Sequence, residues 1–316
     1  MNHSSHRACV AIAALALLAA SSARAVEAGY PGWSQPPGTF LGITAASPPH
    51  GLYGFTQVFA SQGHLVGPGA PHVNGATTQV HTTSLVGGLI WAPGWTFLGA
   101  NYDALLVQPY TMADAGPPLN ATKNGFHNTV VIPGELSWAL GDSGVYVKTG
   151  LAVGIPDGSR SGPSDLSRIG NPWWVTQPLV VLSYLKDGWN LSANLSEEFN
   201  SRNRRTDYRS GDIGHAEFTA THVFGKWTIG PVATFVGQTS DDESSAFYHG
   251  AVNAARFSIW SAGASVNYNF GPLTLGLQAL NDLSAKASGG HAVAGGPDTA
   301  SITKGAKIFF NTSFRF

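Results

Sequence analysis

The chain has 316 residues, of which 11% are charged and 43% hydrophobic, with 39 Gly, 9 Trp and 16 Phe. Ordinary globular domains carry roughly 25% charged residues, so a strongly charged soluble surface is disfavoured, and a formal net charge of −1 removes the electrostatic case for nucleic-acid binding. The apolar share is too high for disorder, and past the N-terminus no stretch offers the roughly 18 consecutive apolar residues of a transmembrane helix, which leaves an all-β chain.

Residues 1–25 read as an export signal. Arg7 opens it, Val10 to Ala20 is an apolar run too short to span a bilayer, and Ala23-Arg24-Ala25 is a small-x-small cleavage site. Cys9 precedes the apolar run, so cleavage leaves a chain without cysteine and with 15 basic against 18 acidic side chains. An exported chain without disulfides needs another source of closure. Residues 26–47 are rich in Pro and Gly, carry Tyr30, Trp33 and Phe40, and begin a stretch with no charge between Glu27 and Asp103. Two readings stay open for this segment: a plug folded into a barrel, or a tail leading into the first strand.

From there alternation dominates. The expected strands are 52–62, 77–91, 94–108, 128–140, 144–156, 173–186, 188–200, 213–224, 226–239, 255–270, 272–284 and 302–316. Trp189, Leu191, Ala193, Leu195 and Phe199 share one face, with Asn190, Ser192, Asn194, Ser196 and Glu198 on the other and Glu197 as the misfit. Such a period of two places each set on one side of a sheet. Connections through Ala92-Pro93-Gly94, Gly141 to Gly144, Lys186-Asp187-Gly188, Gly225 and Gly271-Pro272 have tight-turn chemistry. They alternate with long connections. The pattern predicts a transmembrane antiparallel up-and-down β-barrel of about 12 strands, spanning residues 48–316, with short periplasmic turns and long external loops.

Aromatic residues collect at the short turns: Trp91, Trp95, Trp138, Tyr184, Trp189, Trp227 and Tyr268. Amphipathic rings at one level predict an interfacial girdle. The chain stops on Phe316, on the face of Phe310 and Phe314, as in the signal read by the bacterial barrel-assembly machinery. The expected location is therefore the cell outer membrane, with lipid bilayer and lipopolysaccharide as surroundings.

Pro36-Pro37-Gly38-Thr39-Phe40, Pro172-Trp173-Trp174 with Thr176-Gln177-Pro178, and Asn190 to Leu195 running into Phe199-Asn200, Asn203, Thr206, Tyr208 and Ser210-Gly211-Asp212 form a recognisable series. Lys226-Trp227, Gly230-Pro231 and Gln238 to Asp242 continue it. In these motifs the chain resembles the MetA-pathway of phenol degradation family of outer-membrane transporters. The likeness implies a barrel fold, an outer-membrane location and a transport role tied to aromatic degradation.

Because a charge on the lipid face costs roughly 2–4 kcal/mol for Lys or Arg near the midplane, Asp103, Lys148, Asn190, Asn194, Glu198, Glu217, Lys307 and Arg315 are expected to line the lumen. They serve there as a neutralising network or as a polar constriction. Arg202, Arg204, Arg205 and Arg209 fall in an external loop and suit anion or lipopolysaccharide phosphate, unless they pair with their own loop's acids. Asp241-Asp242-Glu243 lacks spaced cation ligands, the histidines lack metal-ligand spacing, and Leu140 to Gly144 echoes a serine-hydrolase signature without its strand-to-helix elbow. No metal, cofactor or catalytic residue is assigned. The expected role is passive uptake of small hydrophobic and aromatic solutes. A general small-solute porin, a structural or adhesive barrel with a filled lumen, and a membrane enzyme are the alternatives.

Overall fold

A computed structural model describes residues 27, 36–248, 256–290 and 298–316. The expected signal at 1–25, with Cys9, and also Tyr30, Trp33, His249 and His291 lie outside the described residues. Twelve long strands form the wall: β1 (Gly51–Val66), β2 (Gln79–Ala92), β3 (Ala100–Ala115), β4 (Thr129–Ala139), β5 (Val145–Ile155) and β6 (Val175–Tyr184). The second half is β7 (Trp189–Asn200), β8 (Ile213–Phe224), β9 (Trp227–Gln238), β10 (Arg256–Asn269), β11 (Leu273–Ser288) and β12 (Ile302–Arg315).

Each strand pairs antiparallel with its chain neighbour. β1 also pairs with β12, from Tyr53 opposite Arg315 to Val66 opposite Ile302, and this closes the sheet into a barrel. Closure removes the open edges, so every wall strand finds its backbone partners without water. The described short turns place Gly94, Gly144, Gly188, Gly225 and Gly271 at positive φ, where a side chain is disfavoured.

Alternation sets the two faces. In β6, Val175, Gln177, Leu179, Val181 and Ser183 are buried while Thr176, Pro178, Val180 and Leu182 point outward. Two irregularities break the period. Between Val131 and Glu135 the β4 register shifts at Pro133-Gly134, so Ile132 and Glu135 are both buried; Pro133 has no N–H for the ladder, which makes this the natural place for a bulge. A second shift sets Trp260 opposite Ser284 but Ser261 opposite Asp282.

Four strand limits lie well off the sequence expectation. β3 begins at Ala100, not near 94, because Thr96–Phe97 folds back on Ala100–Asn101 through Leu98 and Gly99, both at positive φ. β1, β3 and β11 run past their expected ends on the long-loop side, and Ala121–Phe126 pairs with β3 there. These extensions are polar or mixed, so they carry little amphipathic signal.

Val180 is outward, lies between Tyr184 at the short-turn end and Trp174 at the other, and faces Leu195 and Thr149 across the ladder. Val180→Arg should destabilise the membrane-inserted barrel by about 2–4 kcal/mol, measured by urea unfolding in vesicles. No loss of stability would place this face away from lipid.

Candidate functional site

The lumen is not empty. Residues 36–47 run inside the wall as a series of turns, Thr39 N–H bonding Pro36 O and Ile43 N–H bonding Phe40 O. The wall supplies the remaining partners. The Glu217 carboxylate on β8 accepts two backbone donors, Gly38 N–H at 2.7 Å and Phe40 N–H at 2.8 Å. Gly42 N–H reaches Thr219 Oγ1 at 2.9 Å, and Gln278 Nε2 on β11 donates to Leu41 O at 2.9 Å. Nearer the short-turn end, Ala45 N–H bonds Ser183 Oγ at 2.8 Å and Ser47 N–H bonds Ser137 Oγ at 3.2 Å. Ser47 Oγ donates to Asp103. Leu41 packs with Phe59, Val232, Leu280 and Phe309, and Ala45 with Val130, Ile132, Leu179 and Val181. Gly38 has φ +107, and a Cβ there would meet the Phe309 ring at 2.8 Å, so only glycine fits.

Several ionic side chains inside the wall are paired with one another. Lys148 Nζ lies 2.8 Å from Glu135 Oε2 and 3.2 Å from Asp103 Oδ2, so two carboxylates share one ammonium. Lys307 contacts Asp282 and lies 3.1 Å from Ser261 Oγ; Asp282 also accepts Gly305 N–H at 2.9 Å. Glu198 and His215 are 2.8 Å apart. Asn194 is buried, and Asn190 Oδ1 accepts from Ser192 Oγ. Arg315 differs from the rest of the lumen set: it is exposed at the short-turn rim, donates to His50 O at 2.6 Å and sits 5.8 Å above the Tyr53 ring.

Glu135 and Asp282 are absent from the sequence-derived set. The Pro133-Gly134 bulge moves Glu135 to the inner face, and that dipeptide was its readable signal. The lumen hydroxyls of Ser137, Ser183 and Thr219 alternate correctly, but nothing in the sequence ties them to residues 36–47.

Beside this segment lies a cavity of about 660 Å³. Phe40, Leu41 and Ile43 line one side, and Phe55, Phe59, Val86, Ile90, Leu105 and Val107 line the wall opposite. Lys123 and His127 mark its long-loop end, and Asn190, Asn267 and Asn269 its short-turn end. Polar side chains such as Gln57, Ser84, Thr111 and Gln278 and the charged Asp114, Lys123, Asp282 and Lys307 also line it, and its size and largely apolar surface suit a small organic solute.

On the long-loop side, Glu27 is fully buried, its carboxylate accepting Asn203 Nδ2 at 3.0 Å, Thr206 Oγ1 at 2.5 Å and Tyr248 OH at 2.8 Å. Burial pushes its carboxyl up from the ordinary value, against the pull of these donors. Tyr208 OH donates to Asp242 at 2.5 Å, and burial raises both of these groups, Asp242 to about 6. Asp242 also accepts Gly211 N–H and Gln238 Nε2. Most of the arginines are engaged: Arg209 with Asp212 and Glu243, Arg202 with Glu243, Arg205 with Asp165, Arg256 with Asp241. Arg204 has no acidic partner among the described residues.

At the short-turn end, Trp91 and Trp95 meet edge-on at 5.1 Å, as do Trp227 and Tyr268 at 4.7 Å and Trp189 and His222 at 4.7 Å. Trp138 Nε1 donates to Leu98 O, Tyr184 closes β6, and Phe316 is exposed with its ring 5.1 Å from Phe314. Leu140 to Gly144 forms a tight turn in which Ser143 Oγ donates to Leu140 O.

A closed twelve-stranded barrel with an outward apolar wall and a partly filled interior defines the protein as an outer-membrane β-barrel. Residues 57–294 match the family described as "Putative MetA-pathway of phenol degradation", and the chain belongs to it. Among solved structures it is similar to the COG4313 outer membrane channel from Pseudomonas putida F1 (TM-score 0.70, 10% identity, 89% of this chain and 100% of that one). The β domain of the Bordetella autotransporter BrkA (TM-score 0.45, 12% identity, 84% and 100% covered) and a Pseudomonas aeruginosa FadL homologue (TM-score 0.40, 12% identity, 84% and 90% covered) are more distant barrels. No curated protein matches.

The raised Asp242 carboxyl gives the external loops a pH dependence. Because burial favours its neutral form, its contribution to stability is complete below the ordinary value of 3.8 and is lost as pH rises through about 6. Corrected for the intrinsic rise of exchange with pH, the protection of residues 203–212 should therefore fall over that interval, and Asp242→Asn should flatten the protection profile. An exchange profile with no step in wild type would contradict it.

Proposed function

We propose that this outer-membrane barrel is a channel for passive uptake of small hydrophobic and aromatic compounds. The observation that carries the reading is the largely apolar cavity running beside residues 36–47, where Lys307 is paired with Asp282, Lys123 donates to Leu166 O and Asp114 accepts from Thr122. Apolar solutes lose little on leaving water for such a lining, at about 25 cal/mol per Å² of apolar surface covered. The family's description, phenol degradation, supports an aromatic solute.

In this reading residues 36–47 are the plug of the channel. Glu217 clamps the plug at mid-barrel, Ser183, Ser137 and Asp103 hold its lower end, and the apolar faces of Phe40, Leu41 and Ile43 form one wall of the path. Movement of solute down its gradient breaks no covalent bond, so the paired Asp103, Lys148, Glu198 and Lys307 and the amide-bound Glu217 brace the lumen and need no reactive role. The interfacial rings set the depth of the wall in the membrane. A general porin fits less well, because an occupied lumen obstructs the broad aqueous path that unselective conduction needs.

Deleting residues 26–42 from the exported chain should raise single-channel conductance in planar bilayers several-fold. Glu217→Ala should produce frequent opening steps, since it removes the acceptor of two plug amides, Gly38 N–H and Phe40 N–H. Heat-shifted gel mobility confirms that each variant is folded. Unchanged conductance in both folded variants would overturn the plug.

A further inference from the structure

We propose that the outer rim of the barrel carries a binding site for the phosphate of an outer-leaflet glycolipid, formed by Arg160, Arg204 and Arg205 above the outward ring of Trp174. A cavity of about 400 Å³ opens on the long-loop side between the β5–β6 and β7–β8 connections. Four guanidinium groups line it, Arg160, Arg202, Arg204 and Arg205, against one carboxylate, Asp165. Arg202 is committed to Glu243 and to Asp207 O. Arg205 uses only Nε on Asp165, at 3.3 Å, which leaves both terminal nitrogens. Arg160 and Arg204 are exposed and have no acidic partner among the described residues. The excess positive charge therefore faces one concave space, and planar forked donors match phosphate oxygens in pairs.

The wall beneath tells the ligand's other half. Trp174 precedes β6 in the outward phase of Thr176, Pro178 and Val180 and is 42% exposed, whereas its neighbour Trp173 is buried with Nε1 bonded to Asn200 Oδ1 at 2.9 Å. Phe199, outward on β7, stands opposite Thr176. Trp174 N–H bonds Ser201 Oγ at 3.0 Å and Ser201 N–H bonds Trp174 O at 2.9 Å, so the tryptophan is tied directly to the arginine-bearing loop. Indole rings favour the membrane boundary, so a headgroup phosphate in the cavity would leave its acyl chains along Trp174 and Phe199. The site shares no lining residue with the lumen cavity, so it does not belong to the solute path. It rests on the external position of the long loops and is independent of which solute the channel passes.

Native mass spectrometry of the full exported chain in detergent tests the site with three probes: bisphosphorylated lipid A, the same lipid stripped of phosphate, and inorganic phosphate. Bisphosphorylated lipid A should bind best. Arg160→Gln with Arg204→Gln should weaken it by at least about tenfold, the loss of one or more charge-assisted contacts, while Arg160→Lys with Arg204→Lys should retain part of it. Trp174→Ala should weaken the lipid and leave inorganic phosphate unchanged. Equal binding of the stripped lipid, or full binding by the folded double-Gln variant, overturns the proposal. Inorganic phosphate held as tightly as lipid A, with no effect of Trp174→Ala, overturns the lipid as its source and leaves a soluble anion.

Discussion

Backbone hydrogen bonding in lipid is the constraint on which this structure depends. A strand edge in the hydrocarbon has no water to bond, so the β1–β12 ladder must close the sheet before any other feature is affordable. Closure then divides every side chain between two environments. The outward set, such as Val180, Leu182, Leu191 and Leu195, is left exposed to the bilayer, and the polar set is driven inward whatever its function.

An inward polar set needs partners, and the barrel meets that need in two ways. Some residues neutralise each other across neighbouring strands, as in Asp103, Glu135 and Lys148, or Asp282 and Lys307. Others turn to the chain's own residues 36–47, whose backbone amides would otherwise lack acceptors inside a barrel. Glu217 shows the economy of this arrangement: one buried carboxylate satisfies two turn amides and thereby places Phe40, Leu41 and Ile43 along the cavity. The channel's shape is thus a product of wall and segment together.

The strand faces were legible because a period of two over ten or more residues leaves little freedom, as in β6, β7 and β12. Tight turns were legible through glycine. Reading stopped where the period broke. The bulge at Pro133-Gly134 hid Glu135, the small fold-back at Thr96–Phe97 displaced the start of β3, and Arg315 obeys the alternation yet ends at the rim because it sits at the strand's end. The arginine loop was legible as a cluster, but which guanidinium groups are spent on Glu243, Asp212 and Asp165 depends on loops far apart in the chain. The same holds for residues 36–47, where composition left plug and tail equally open and long-range hydrogen bonds place the segment inside the wall.

The central claim is that residues 36–47 lie in the lumen and limit passage through it. The exported chain is expected to contain no cysteine, so a pair introduced by Ala45→Cys and Ser183→Cys reports directly on that contact. The account predicts a disulfide in the folded barrel, and uptake of a radiolabelled phenol that is slow when the bond is formed and rises on reduction. A barrel that forms no such bond, or that takes up phenol equally well locked and reduced, would contradict it.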